Sequence, residues 1–358
     1  MMGAPMRIHA YAPTRIDLAG GTLDIWPLYL FHPGAVTVNA AISRYAHCVV
    51  EPRRGRRITL ISRDTGAREE FSSLQALVAP ALVAPASRRW SRLPLLAELV
   101  KHFAPRRGLT MTTWSEVPAG AGLGGSSALA VAISAALSEF VRPGGRAGNR
   151  ERKGAFPAHE WIAFSRDIEA RVLGVPTGEQ DHYPAVYGGV GAVHLDPGRT
   201  WREPLPVDLH EFESRLLLVY TGQPRRSGIN NWEVLKRYLD GDPRVRRNFS
   251  GIASTSAAMR EALAKQKWPL VARLLDREWR TRRRNAPAIA TPFIDRLIAI
   301  ARRYGAAGKV CGAGGGGCIV FLCPPARRGA LAQALARAGA TLLPFRLARR
   351  GVRVERLG

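Results

Sequence analysis

The sequence predicts a two-domain α+β protein. Three observations carry that expectation. At 358 residues the chain is too long for one small core. Its first half alternates short β-prone runs with turns rich in Gly, Pro and Arg. Its second half is dominated by apolar residues at helical spacing, with a few strands between them. The texture changes near residues 198–205, so the division is drawn as 1–200 and 201–358.

Taken in order, strands are expected at residues 6–12, 35–41, 46–52, 57–62 and 109–114. Leu and Val at helical spacing mark a helix at 93–103, and a run of Ala, Leu, Val and Ile marks a buried one at 127–140. Residues 142–154 are polar and glycine-rich, a flexible connection. At 158–173 Trp161, Phe164, Ile168 and Val172 share one stripe, with Asp167 and Glu169 off it, which reads as an amphipathic helix. Strands follow at 216–220, 309–311 and 319–323, and helices at 229–239, 252–265, 268–284, 292–304 and 326–338.

Composition narrows the class. Apolar residues at 46% and aromatics at 8% are those of an ordinary globular protein, not a disordered chain. No run of 18 apolar residues occurs, so no membrane partner is expected. Residues 1–12 lack an apolar signal core, and a cytoplasmic location is expected. Cys48, Cys311, Cys318 and Cys323 lack metal-site spacing and read as reduced, structural thiols. The net charge of +25 invites a nucleic-acid reading, with clusters at residues 53–57 and 280–284. Yet the excess runs the whole length, and aromatics do not interleave with the clusters as a single-strand platform needs. An Arg-rich surface that steers anionic small molecules fits better.

The most telling stretch is Pro118-Ala119-Gly120-Ala121-Gly122-Leu123-Gly124-Gly125-Ser126-Ser127. A loop so poor in side chains leaves its backbone N–H groups uncovered, and the helix behind it adds a positive dipole end. Both favour a multiply charged anion such as a nucleotide phosphate tail, and the hydroxyls of Ser126 and Ser127 suit a magnesium ion among those phosphates. The dinucleotide pattern G-x-G-x-x-G matches here and again at Gly312, Gly314 and Gly317, but no acidic residue follows at the distance a ribose requires. The phosphate-loop pattern ending in Gly-Lys-Ser/Thr fails, because Ser126 stands where Lys is required.

Three further loops carry polar groups on permissive backbone. Residues 12–24 offer Arg15, Asp17 and Asp24 beside Gly20, Gly21 and Thr22, and an Asp at such a turn can accept from neighbouring sugar hydroxyls. Residues 174–183 hold Asp181 in a Gly/Pro-shaped loop, where beside Arg15 it would stay ionised and accept a proton. In residues 311–318, glycines permit close approach of backbone to a ligand or another loop.

The set resembles the GHMP kinases, whose three motifs are matched in order at residues 12–24, 118–127 and 309–318, with similarity over nearly the whole chain. The sugar-kinase branch, with heptose 7-phosphate kinase and fucokinase-like enzymes, is the nearest likeness. Residues 15–24, 178–183, 220–222 and 311–317 carry it. The chain departs from that branch at Gly125, where Ser is usual, and at His182, where Gln is usual.

The resemblance implies an N-terminal domain of the ribosomal-protein S5 domain 2 type and a ferredoxin-like, helix-rich C-terminal domain. It also implies ATP and Mg2+ as cofactors and a sugar or sugar-phosphate substrate, in a monomer or homodimer. Residue by residue, the backbone from Pro118 through Gly120, Ala121, Gly122, Leu123, Gly124 and Gly125 to Ser126 and Ser127 would cradle ATP. Ser126 and Glu169 would hold magnesium, with Glu179 a lesser rival. Asp181 and Arg15 would be catalytic. Asp24, Gly20, Gly21, Thr22, Gly314 and Gly315 would bind substrate. Arg225 and Arg226 are candidates to face a substrate phosphate, and Trp90 lies in a region suited to the base. A non-sugar acceptor such as mevalonate, and a non-catalytic sugar or nucleotide sensor, are the competing readings.

Overall fold

A computed structural model describes residues 7–83, 91–142, 158–224 and 227–358. The expected connection at 142–154 falls, beyond Arg142, outside the described residues, as do Trp90, Arg225 and Arg226.

The strands are β1 (Arg7–Ala19), β2 (Val36–Pro52), β3 (Ile58–Ser62), β4 (Ala67–Phe71), β5 (Leu109–Ser115), β6 (Val190–Asp196), β7 (Arg199–Pro204), β8 (Leu216–Tyr220), β9 (Ala307–Val310), β10 (Cys318–Leu322), β11 (Thr341–Leu342) and β12 (Arg353–Leu357). The helices are α1 (Leu74–Val83), α2 (Pro94–Phe103), α3 (Gly125–Val141), α4 (Ala158–Leu173), α5 (His182–Tyr187), α6 (Leu209–Arg215), α7 (Ser227–Leu239), α8 (Pro243–Ala264), α9 (Trp268–Arg282), α10 (Pro292–Arg303) and α11 (Pro325–Arg337).

An eight-stranded sheet runs β12-β1-β2-β5-β3-β4, with β6 on β2 and β7 on β6. A four-stranded antiparallel sheet runs β11-β8-β10-β9. The helices α3 and α5 cover the first sheet, and α9 and α10 pack on β9. The expected division at 200 falls within β7, and the chain returns to the first sheet at β12.

Two strands run further than sequence reading expects. β1 continues past residue 12 because Pro13 falls at a register shift, where a missing N–H costs the ladder little. A second shift between Asp17 and Ala19 lies beside the site, a common place for a bulge to re-aim side chains. The expected strands 35–41 and 46–52 are one strand, β2. Its polar middle is held from outside: Ser43 N donates to Arg346 O and Tyr45 N to the Glu116 carboxylate.

One apolar core joins the sheets. Ile16 and Leu18 of β1 pack in the same cluster as Met259 and Leu263 of α8, Leu274 of α9, and Val320 of β10. The end of β1 is thereby fixed against the C-terminal half. All four cysteines are buried and form no disulfide. Among the described residues no helix is long and apolar enough to cross a membrane.

Candidate active site

A cleft of ≈ 470 Å³ opens where the end of β1, the glycine loop, α4 and the loop before α5 meet. Arg15, the loop from Pro118 to Ser127, Glu169 and Asp181 all line it. Segments far apart in sequence thus share one cleft.

The loop is shaped by backbone. Gly120, Gly122 and Gly124 have φ of 71°, 80° and 71°, a left-handed geometry that glycine adopts without strain. Gly124 is the residue from which α3 starts, and α3 points its N-terminus into the cleft. Arg15 ties down the loop's inner edge: its backbone N–H donates to Leu123 O at 2.9 Å and its Nη1 to Gly122 O at 2.6 Å.

The same guanidinium grips Asp181. Nε and Nη2 donate to Oδ1 at 2.8 and 2.6 Å, with the Arg15 side chain 1% exposed and that of Asp181 21%. Burial works against the Arg15 charge, but the carboxylates of Asp181 and Asp17 overcome it and hold the guanidinium above its ordinary range. One arginine therefore touches both the glycine loop and the carboxylate opposite. The fit is close: a Cβ on Gly124 would stand 3.2 Å from the Asp181 Cβ.

Glu169 reaches the mouth of the loop from α4. Ser127 Oγ donates to its Oε2 at 2.7 Å, and Ser126, exposed, lies beside it in the cleft. Burial pushes the Glu169 carboxyl up. The His182 ring and the hydroxyls of Ser126 and Ser127 more than reverse this, leaving it below its ordinary range. His182 is fully buried, its Nε2 3.4 Å from Oε2 without a well-directed hydrogen bond.

The opposite wall is made of side chains. Asp24 accepts from the Gln180 backbone N–H at 2.9 Å, while its Oδ1 is buried without a partner. Burial, with the nearby charges of Asp181 and Asp17, raises its carboxyl to about 7 against the pull of the backbone hydrogen bonds. The loop before α5 passes so near that a Cβ on Gly178 would stand 1.8 Å from Asp24 Oδ2. Gly21, Thr22, Gln180 and Asn231 complete this wall.

Three expected contacts lie elsewhere. Gly20 does not line the cleft; a Cβ there would meet Val36 O at 2.2 Å, so its glycine serves strand packing. Gly314 and Gly315 do not line it either: Gly314 packs on Ile289, and Gly315 N donates to Ile289 O at 2.9 Å. The turn between β9 and β10 instead presents Gly312 and Ala313 to the cleft. It also braces the glycine loop from behind, with Cys318 N donating to Ala121 O at 2.7 Å. Glu179 points away from this cleft, paired with Arg166 and bonded to Thr200.

Known families and proteins match this arrangement. The family model "GHMP kinases N terminal domain" matches residues 93–189, and "GHMP kinases C terminal" matches residues 259–341. A mevalonate kinase of Thermococcus onnurineus is 30% identical over 277 residues, covering 72% of this chain and 73% of that one. The chain belongs to the GHMP kinases. This GHMP kinase is also 28% identical over 357 residues to a D-glycero-alpha-D-manno-heptose 7-phosphate kinase of Campylobacter jejuni, covering 98% of this chain and 99% of that one. A crystal structure titled a D-glycero-D-manno-heptose 1-phosphate kinase, from Bacteroides thetaiotaomicron, superposes with a TM-score of 0.72 at 23% identity, covering 98% and 99% of the two chains. The chain is accordingly a phosphotransferase of two-domain α+β fold.

Sequence reading missed several wall residues of this GHMP kinase. Arg92 to Leu96, at the start of α2, face the cleft with Ser62, Asp64 and Thr65. Pro94 was a visible signal, since proline favours the first turn of a helix. Asn231 gave none; it is one polar residue in an amphipathic helix, and only tertiary packing turns it inward.

Proposed function

We propose that this kinase transfers the γ-phosphoryl group of ATP to a hydroxyl of a sugar or sugar phosphate, with a heptose 7-phosphate-like acceptor. The observation that carries the reading is the Arg15–Asp181 pair, bonded at 2.6 Å between an anion cradle and a wall of hydroxyl-binding groups. Near full-length similarity to a heptose 7-phosphate kinase supports the acceptor class.

Phosphoryl transfer needs in-line positioning and spread charge stabilisation more than covalent help. The N–H groups from Gly120 to Ser127 hold the phosphate tail, with the α3 dipole behind them. The base lies toward Leu93 to Leu96, on the apolar edge of the cleft. Asp24, Thr22, Gln180 and Asn231 hold the acceptor's hydroxyls, and Asp24 keeps one carboxylate oxygen, Oδ1, unpartnered within the fold. Asp181 receives the proton of the attacking hydroxyl. Arg15, fixed by the cradle, balances charge building on the transferring group.

The donor set fits a magnesium ion: a buried carboxylate kept ionised, Glu169, next to the hydroxyl of Ser126. Among the described residues no cluster of three metal-ligating side chains occurs, in keeping with an ion that keeps waters and binds mainly through nucleotide phosphates. Bound there, magnesium would neutralise phosphate charge.

The test is ADP release with ATP and Mg2+ against heptose phosphates, hexoses, fucose and mevalonate. Release that depends on a sugar or sugar phosphate is expected, with heptose phosphates the fastest. Turnover on mevalonate alone, or on none of the panel, would refute the assignment.

A further inference from the structure

Arg282 belongs to the arginine run that looked like a solvated cluster in sequence. Its neighbours do face outward: Arg280 pairs with Asp276 and Arg283 with Asp295 at the surface. Arg282 turns in, because it follows Glu278 by one helical turn on the buried face of α9. Its side chain is 4% exposed and that of Glu278 is wholly buried.

There the guanidinium divides its donors among three partners. Nε and Nη2 donate to Glu278 Oε1 at 2.9 and 2.5 Å. Nη2 also donates to Gly21 O at 2.7 Å, and Nη1 to Thr22 Oγ1 at 3.2 Å. Thr22 in turn donates to Asn231 Oδ1 at 3.3 Å. Lys309 of β9 completes the cluster, with Nζ 2.6 Å from Asp17 Oδ2 and 3.9 Å from Glu278. Two cations and two anions are therefore buried together across the junction of the two sheets, their side chains at most 4% exposed.

Such a cluster is poorly explained by stability. Desolvating four charges costs about what their attraction returns, and apolar packing would serve as well. What the charges add is fixed geometry, and the segment fixed is a strained one. Thr22 has φ +76°, a left-handed conformation that a β-branched residue avoids and holds only when its surroundings enforce it. Arg282 bonds the peptide on one side of that residue and its hydroxyl as well.

We infer that Arg282, backed by Glu278 and Lys309, is a positioning residue that holds residues 21–24 in the shape that receives the acceptor, while leaving the nucleotide cradle untouched. The inference rests on the reading above that this loop binds the acceptor. Through it, the C-terminal half of the chain sets acceptor affinity without contributing a group to the chemistry.

The test uses the full chain and two variants. Arg282→Lys keeps the buried charge but cannot bond Gly21, Thr22 and Glu278 together. Thr22→Val removes the hydroxyl that Arg282 and Asn231 share, and with it that hydroxyl's own contact with the acceptor, so for this variant the amide exchange is the deciding readout. ATP affinity is measured by calorimetry without acceptor, kcat and acceptor KM by ADP release, and amide exchange by mass spectrometry on peptides covering residues 20–25 and 119–127. For Arg282→Lys, acceptor KM is expected to rise roughly ten- to hundredfold with ATP affinity held within about twofold. Exchange should quicken at 20–25 and not at 119–127. Thr22→Val should raise acceptor KM less, and combining the two should cost less than the product of the single effects.

Equal losses of ATP and acceptor affinity, or faster exchange at both loops alike, would mark Arg282 as merely structural and overturn the inference. So would unchanged KM and exchange. Should Arg282→Lys fail to fold, amide exchange of Thr22→Val decides alone: faster exchange at 20–25 and not at 119–127 supports the inference, and wild-type exchange at 20–25 refutes it. If the wild type phosphorylates no sugar, the acceptor reading has failed, and the exchange measurement still decides whether Arg282 holds the loop.

Discussion

The two walls of the cleft are built differently. The wall proposed to hold the donor is backbone: ten consecutive residues, three of them glycines with positive φ, and the end of one helix. The wall proposed to hold the acceptor is side chain: Asp24, Thr22, Gln180 and Asn231 come from three separate segments and are braced by buried charge. A phosphate tail needs only N–H groups and a dipole, which local conformation supplies. Hydroxyls need carboxylates and amides at set distances, which only tertiary packing supplies. Arg15 joins the walls, because one face of β1 delivers its guanidinium to both Gly122 and Asp181.

The sharpest way to separate the walls is at their junction. Asp181→Asn is expected to lower kcat by roughly a thousandfold while ATP affinity, read by calorimetry, stays near wild type. Loss of ATP binding as well would mean that the walls are not independent. Glu169→Gln strikes the donor side alone: half-maximal activity should need roughly ten- to hundredfold more Mg2+, with acceptor KM little changed. Gly124→Ala presses one wall on the other, with a left-handed alanine and a Cβ 3.2 Å from the Asp181 Cβ. A stability loss of about 1–2 kcal/mol in urea melts, with a fall in kcat, is expected.

Asp24 gives the smallest effect on turnover and a distinctive pH signature. Its carboxyl is raised to about 7 in the fold and returns to the ordinary carboxylate range on unfolding. Between those values the folded chain binds the extra proton, so stability falls as pH rises from about 4 to about 7 and is level above that. Asp24→Asn should flatten this slope in denaturant titrations. Because an ionised Asp24 accepts hydroxyls better, wild-type acceptor KM should fall from about pH 6 to about pH 8, and the variant's should not.

This division also governs what the sequence disclosed. The glycine loop was legible because its chemistry is local, and helix α4 was read to its boundaries because its stripe is periodic. Arg15 and Asp181 stood out as charged groups in permissive loops and Glu169 through motif resemblance, and the fold brings all three to one cleft. Gly20, Gly314 and Gly315 lie outside the cleft lining, because glycine marks close backbone approach without saying to what; here they meet Val36 and Ile289. Arg282 was invisible, since one inward arginine among four looks like its neighbours until a helix face is packed. β12 escaped notice because its five residues are exposed and gain strand character only by pairing with β1.

The most direct test is a crystal structure with a non-hydrolysable ATP analogue, Mg2+ and a heptose phosphate. The triphosphate is expected over residues 120–127, with an acceptor hydroxyl within about 3.5 Å of the Asp181 carboxylate and in line with the γ-phosphorus. A nucleotide bound away from the N-terminus of α3, or a sugar whose hydroxyls all lie out of reach of Asp181, would contradict the assignment.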